Sequence, residues 1–244
     1  MDASPSASVS SPAAGRRAQP GQTLAEAPGW RRLLVAVAEL MARSGSGGSE
    51  RVRLHQARVS ERIEALIAAP APLRAPAPAR PPAVVRALPR AIARGAEGPA
   101  GDVLAAVEAV SGALVWREGY VRPPAGLHAR FAQCEIAAAG GPVVCRGMRL
   151  GLILFAPGCT YPMHAHPGVE ESYACLAGAV SQNEEGVWTP GAMIVNRPGQ
   201  LHRLTSETGG PSLLAYAWLG PGPRLAHAAT RFLRATPRRR RDET

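Results

Sequence analysis

Hydrophobic residues recur along this chain with two different periods, and the change from one to the other divides it. Within 30–43, Leu33, Leu34, Val37, Leu40 and Met41 fall three to four apart, the spacing of one face of an α-helix. The Gly/Ser cluster 44–49 ends that pattern. A second helical pattern covers 50–68, with Val52, Leu54, Val59, Ile63, Leu66 and Ile67 along one side and Arg or Glu on the other. Ser49 is its expected N-cap. Six prolines between 70 and 83 exclude a helix there, so a stiff, extended connector over the domain surface is expected. Shorter helical patterns follow at 84–93 and 102–115.

From Phe131 the pattern changes to short β-prone runs separated by Gly, Pro and Asn. Strands are expected at 131–137, 142–144, 150–156, 160–166, 171–176, 179–182, 186–189, 192–196, 200–204 and 213–218. Many short strands without intervening helices point to a sandwich or barrel. The fold class is therefore α+β, a helical N-terminal half followed by an all-β half. The expected divisions are a disordered tail over 1–28, a helical region over 29–116 packed on the barrel, the barrel over 117–222, and a short helix with a basic tail over 223–244. The helical part of that last segment is expected at 223–233.

Composition narrows the function. With 46% hydrophobic and 19% charged residues in 244, a wholly disordered chain is excluded. The apolar run 33–40 is far shorter than the roughly 20 residues of a membrane-spanning helix. Residues 1–24 have no apolar core of a secretory signal, so a cytoplasmic protein with no membrane partner is expected. The net charge of +10 would suit a nucleic-acid binder, but its distribution argues otherwise. All 28 basic residues are Arg, as a GC-biased coding sequence produces, and 151–220 holds only Arg197 and Arg203 against five Glu. The positive excess thus lies on the flanks. Cys134, Cys145, Cys159 and Cys175 form no CxxC pair and read as buried small hydrophobes.

The chemistry concentrates in 158–173 and 196–202. In a strand, residues two apart share a face, so His164 and His166 aim into one cavity. A turn at Pro167–Gly168 brings the next strand alongside, where Glu171 supplies a carboxylate and Tyr173 points the same way. His202 follows later. Three imidazoles and a carboxylate suit one divalent first-row ion (Zn, Fe, Mn or Ni) with a position left for substrate or water. His55, His128 and His227 lack such partners and are expected to be structural or surface residues.

The spacing Gly158-x5-His164-x-His166-x4-Glu171-x6-Gly178 resembles the first cupin motif, and selects Glu171 over Glu170. Gly191, Pro198 and His202 resemble the second, with one residue fewer before the histidine. Within the cupins, the chain resembles the dimethylsulfoniopropionate (DMSP) lyase family. The resemblance rests on Tyr161-Pro162, the His-Pro after the HxH pair, Glu-Glu-x-Tyr at 170–173, Trp188-x-Pro-Gly, and Asn196-x-Pro-Gly-x-x-His. It extends through Val115-Trp-Arg, Arg149-Leu-Gly151-Leu and Leu213-Leu-Ala-Tyr-Ala-Trp218, covering most of 50–220. It departs in one extra residue before the Glu-Glu pair and in Ala177 preceding Gly178.

The resemblance implies a double-stranded β-helix, jelly-roll-like barrel and a metal-dependent lyase that makes acrylate and dimethyl sulfide. It implies Tyr173 as the general base, acting as a phenolate favoured by the adjacent dication, with Tyr161 as second candidate or substrate-orienting group. Trp218 or Trp188 would hold the sulfonium by cation–π attraction. The partner is then a small molecule, with no nucleic acid, and a homodimer fits the family. Two other readings use the same residues: an Fe(II) cupin dioxygenase, and a ligand-sensing cupin regulator that binds DNA.

Overall fold

The computed structural model describes residues 21–45, 47, 49–69, 71–118, 127–226 and 231–232. Its helices are α1 (Pro28–Arg43), α2 (Glu50–Ala68), α3 (Leu88–Gly95) and α4 (Gly101–Val110). Helix α1 packs its apolar face against α2 and α4, burying Leu33, Leu34, Val37, Leu40 and Met41. Ser49 caps α2 as expected, its side chain accepting from the Val52 amide. Of the expected tail, residues 24–26 form a 3-10 turn in which Leu24 is buried and its amide bonds Ala71 O. A leucine with an apolar socket and a backbone partner has no reason to stay in water. The proline connector is extended, and it is pinned on both sides. Thr23 bridges Pro72, while Leu73 bridges Val143.

The β half comprises β1 (Phe131–Ala138), β2 (Val143–Val144), β3 (Arg149–Phe155), β4 (Thr160–Ala165), β5 (Glu170–Ala177) and β6 (Val180–Gln182). It continues with β7 (Gly186–Trp188), β8 (Met193–Asn196), β9 (His202–Ser206) and β10 (Ser212–Leu219). A five-residue helix, α5 (Gly222–Ala226), and β11 (Arg231–Phe232) follow. The strands form two sheets, ordered β2-β1-β3-β10-β5-β8 and β11-β4-β9-β6-β7. This is the jelly-roll arrangement of a cupin, two facing sheets rather than a closed barrel. Here the expected C-terminal helix is corrected. Among the described residues it is limited to α5, and Arg231 and Phe232 instead pair with Ala165 and His164, giving the open edge of β4 a strand partner. His227 and the basic tail lie outside the described residues.

The six-stranded sheet is covered on both faces. Leu150, Leu152, Leu154, Ala174, Leu176, Ala215 and Ala217 face the helical layer and join its core. Ile153, Phe155, Tyr173, Leu214, Tyr216 and Trp218 face the second sheet and join a separate core between the sheets. Burial on both sides explains why β3 and β10 read as near-continuous apolar runs with little alternation. Among the described residues, no helix is long and apolar enough to cross a membrane.

Candidate metal centre

One strand irregularity assembles much of the site. Tyr161 pairs with Leu204 and His164 with His202, so β4 spends one more residue than β9 between the same two levels. This bulge at Pro162–Met163 lets Tyr161 and His164, three apart, both face the interior. Without it they would lie on opposite faces. Their rings then meet edge-on at 4.2 Å. The other face of Tyr161 stacks on Phe131 at 4.8 Å. His166, two residues on, follows the strand alternation inward.

The turn that carries the chain to β5 depends on Gly168 at φ +77, a conformation that glycine adopts without cost. On β5, Glu171 and Tyr173 face the interior, as expected. His164, His166, Glu171 and His202 are all buried, and one donor atom from each lies within 4.8 Å of those of the others. Two of the imidazoles are oriented by backbone. His164 Nδ1 lies 2.7 Å from Pro162 O and His202 Nδ1 lies 2.9 Å from Gln200 O, so each donates there and turns Nε2 inward. His202 Nε2 is 2.9 Å from Glu171 Oε2, and His166 Nε2 is 3.5 Å from the same oxygen.

The electrostatics favour a cation. Burial drives the His164 imidazole down to about 3, with His202 adding to the effect. Burial likewise lowers His166. Burial opposes the charge on Glu171, but His166, His202 and His164 together outweigh it and hold the carboxyl below its ordinary range. Burial also lowers His202, yet its bond to Glu171 outweighs this and holds it above its ordinary value. Two neutral imidazoles and an ionised carboxylate are the protonation states a metal requires. Neither ring nitrogen of His166 has a hydrogen-bond partner among the described residues. A buried imidazole without hydrogen bonds, in a cluster of nitrogen and oxygen donors, fits a divalent ion better than it fits a packed core.

The remaining sequence candidates sit around this cluster. Tyr173 is buried, with its hydroxyl 3.4 Å from His202 Nε2. Trp218 stands beside the His/Glu cluster, its ring 4.4 Å from His166 and its Nε1 donating to Glu171 Oε1 at 2.6 Å. The Arg149 guanidinium covers the Trp218 ring at 5.1 Å and also meets Glu135. Trp188 pairs opposite Val180 and packs, half-buried, against the apolar part of the same interior. His55 is structural but hardly bland, because its two nitrogens bond Glu170 and Ser172, the neighbours of Glu171. His128 pairs with Glu118 near the surface. All four cysteines are free and buried, and burial pushes Cys175 up to about 12.

Comparison with known proteins agrees with this geometry. The family described as dimethylsulfoniopropionate lyase matches residues 55–214. A curated protein of Cereibacter sphaeroides named "Putative dimethylsulfoniopropionate lyase DddL" is 38% identical over 220 residues, 90% of this chain and 94% of the relative. The chain belongs to the DMSP lyase family. Two solved structures share the fold at lower identity. One, described as DMSP lyases RdDddP and RnDddQII, aligns with a TM-score of 0.61 and 19% identity over 85% of this chain and 98% of its own. The DMSP lyase DddQ from Ruegeria pomeroyi aligns with a TM-score of 0.58 and 20% identity over 84% and 96%. The DMSP lyase family match includes every one of the four clustered residues, Tyr161 and Tyr173, but stops at residue 214, short of Tyr216 and Trp218.

Proposed function

We propose that this protein is a carbon–sulfur lyase that cleaves DMSP to acrylate and dimethyl sulfide by β-elimination. The observation that carries the reading is the convergence of three imidazoles and one carboxylate beside the Tyr173 hydroxyl, in a chain of this family. His164, His166, Glu171 and His202 would hold one divalent transition ion. Such an ion would act as a Lewis acid on the substrate carboxylate and favour the phenolate of a nearby tyrosine.

The protein's own groups account for the rest. The leaving group departs as a neutral thioether, so the demanding step is removal of the weakly acidic proton α to the carboxylate. Tyr173 Oη takes that proton, the Cα electron pair becomes the new C=C bond, and the Cβ–S bond breaks to release dimethyl sulfide. Tyr161, wedged between Phe131 and His164, orients the substrate through its hydroxyl. Trp218 and Trp188 offer aromatic faces to the sulfonium. For Trp218 the face opposite Arg149 is the one in question.

The deciding test is headspace detection of dimethyl sulfide. Protein reconstituted with Zn, Mn, Fe(II) or Ni and given DMSP is expected to release it. Silence with all four ions sinks the reading.

A further inference from the structure

Resting on the lyase reading, we infer that Asn196 is a substrate-binding residue whose carboxamide N–H donates to the substrate carboxylate. Asn196 ends β8, where Ile194 packs into the core between the sheets while Met193 and Val195 pack on the helical side. Strand alternation therefore turns Asn196 inward with Ile194. In register it stands directly opposite Glu171, as Ile194 stands opposite Tyr173. The side chain is 1% exposed, yet neither Nδ2 nor Oδ1 has a hydrogen-bond partner among the described residues. A buried carboxamide with both ends unmade is costly, and a native fold tolerates it where a ligand completes the bonds.

The donors around the cluster say which end of the substrate it meets. The Nδ1 groups of His164 and His202 are committed to Pro162 O and Gln200 O. Trp218 Nε1 is committed to Glu171, and the Arg149 guanidinium, whose Nε makes no hydrogen bond, is held by its ion pair with Glu135 and its place over the Trp218 ring. Asn196 Nδ2 is a donor with no acceptor, next to the carboxylate ligand of the cluster. The substrate carboxylate is the acceptor-rich group, and negative charge grows on it as the α-proton leaves. A donor fixed at that oxygen strengthens as the charge develops, which is where binding lowers a barrier.

Propionate, a carboxylate without the sulfonium, tests the contact apart from turnover. On metal-loaded protein, Asn196→Ala is expected to weaken propionate binding about tenfold by calorimetry, the loss of roughly one hydrogen bond to a charged group. Asn196→Asp should weaken it further by setting anion against anion, and kcat/KM on DMSP should fall at least in parallel. Metal content should stay at the wild-type level. The melting temperature of Asn196→Ala should be unchanged or higher, because the variant removes an unmade pair of hydrogen bonds, whereas a structural asparagine would lower it. Asn196→Ser serves if the aspartate variant does not fold. Propionate affinity within twofold of wild type in both Asn196→Ala and Asn196→Ser overturns the inference, and so does loss of the metal in Asn196→Ala. Wild-type protein that binds propionate through Asn196 but releases no dimethyl sulfide keeps the contact and removes the lyase reading instead.

Discussion

Trp218 Nε1 donates to Glu171 Oε1 at 2.6 Å, which leaves Oε2 turned towards the histidines. The two residues are also cross-strand partners between β10 and β5, so the backbone ladder sets the distance across which the indole reaches. A ligand carboxylate held through one oxygen presents the other in a fixed direction.

Removing that donor should therefore weaken the metal before it weakens the fold. Trp218→Phe keeps most of the aromatic volume and deletes the N–H. Metal affinity is expected to fall about 10- to 100-fold, as it does when an outer hydrogen-bond partner is lost. A competition titration against a chelating dye measures it. An affinity equal to wild type would show that Glu171 needs no such support.

Tyr173→Phe separates binding from chemistry. The phenyl ring preserves packing against Tyr216 and Ile194 levels of the sheet, and only the hydroxyl 3.4 Å from His202 Nε2 is lost. Dimethyl sulfide release should drop by about a thousandfold, within the range for loss of a general base, while metal stays bound. Unchanged turnover would transfer the role to Tyr161.

Much of this was legible from residue spacing, and the exceptions have identifiable causes. The HxH pair, the acid and His202 follow from strand periodicity, and α2 spans the expected 50–68, although Leu54, placed on its apolar side, is exposed and His55 and Gln56 are buried instead. Tyr161 was harder, because its spacing from His164 has the wrong parity until the bulge at Pro162–Met163 is seen. The partners of Trp218, His55 and Asn196 lie far away in sequence, on strands or helices that no local pattern connects. The 223–233 segment read as helix because Leu225 and its neighbours are helix formers. The pairing of Arg231 and Phe232 with β4 is a tertiary event that propensity does not report.

Packing around Gly151 gives a prediction independent of metal. A Cβ there would strike the carbonyl oxygen of Cys134 and lie 2.6 Å from Tyr216 Cε1. The carbonyl belongs to a strand paired with β3 and cannot withdraw without breaking the ladder, and the Tyr216 ring is packed in the core between the sheets. Gly151→Ala is expected to cost about 1–3 kcal/mol or more, the range for overpacking, read by urea denaturation. Denaturation at the wild-type midpoint would mean the sheet yields more than its register implies.

Acid should destabilise the metal-free protein. Burial lowers His55, His164 and His166 below their ordinary value, so below about pH 6.5 the unfolded chain takes up protons that the folded one refuses. Their stabilisation is present above that pH and is lost as pH falls, by up to about 1.4 kcal/mol per pH unit for each imidazole. His202, raised by Glu171, acts with the opposite sign but is one group against three. The melting temperature of chelator-treated protein should fall as the pH is lowered from 6.5 to 5.5. A rise over that interval contradicts the assignment.

His55 links the helical layer to the centre without touching it. From α2 it bonds Glu170 Oε2 at 2.9 Å and Ser172 Oγ at 2.8 Å, the two residues whose side chains leave β5 on the face opposite Glu171. Arg51 and Arg58 add ion pairs to Glu170, but Ser172 is fully buried. His55→Ala therefore leaves the Ser172 hydroxyl without its imidazole and should cost about 1–3 kcal/mol. The strand segment holding Glu171 loses its anchor at the same time, so metal affinity should fall as well. A double-mutant cycle with Ser172→Ala separates the two effects. If the serine bond matters mainly for stability, the double variant recovers part of the denaturation midpoint, and the metal affinity lost with His55 does not return. Full recovery of both would mean that His55 acts only by satisfying Ser172, and that Glu171 needs no anchor from α2.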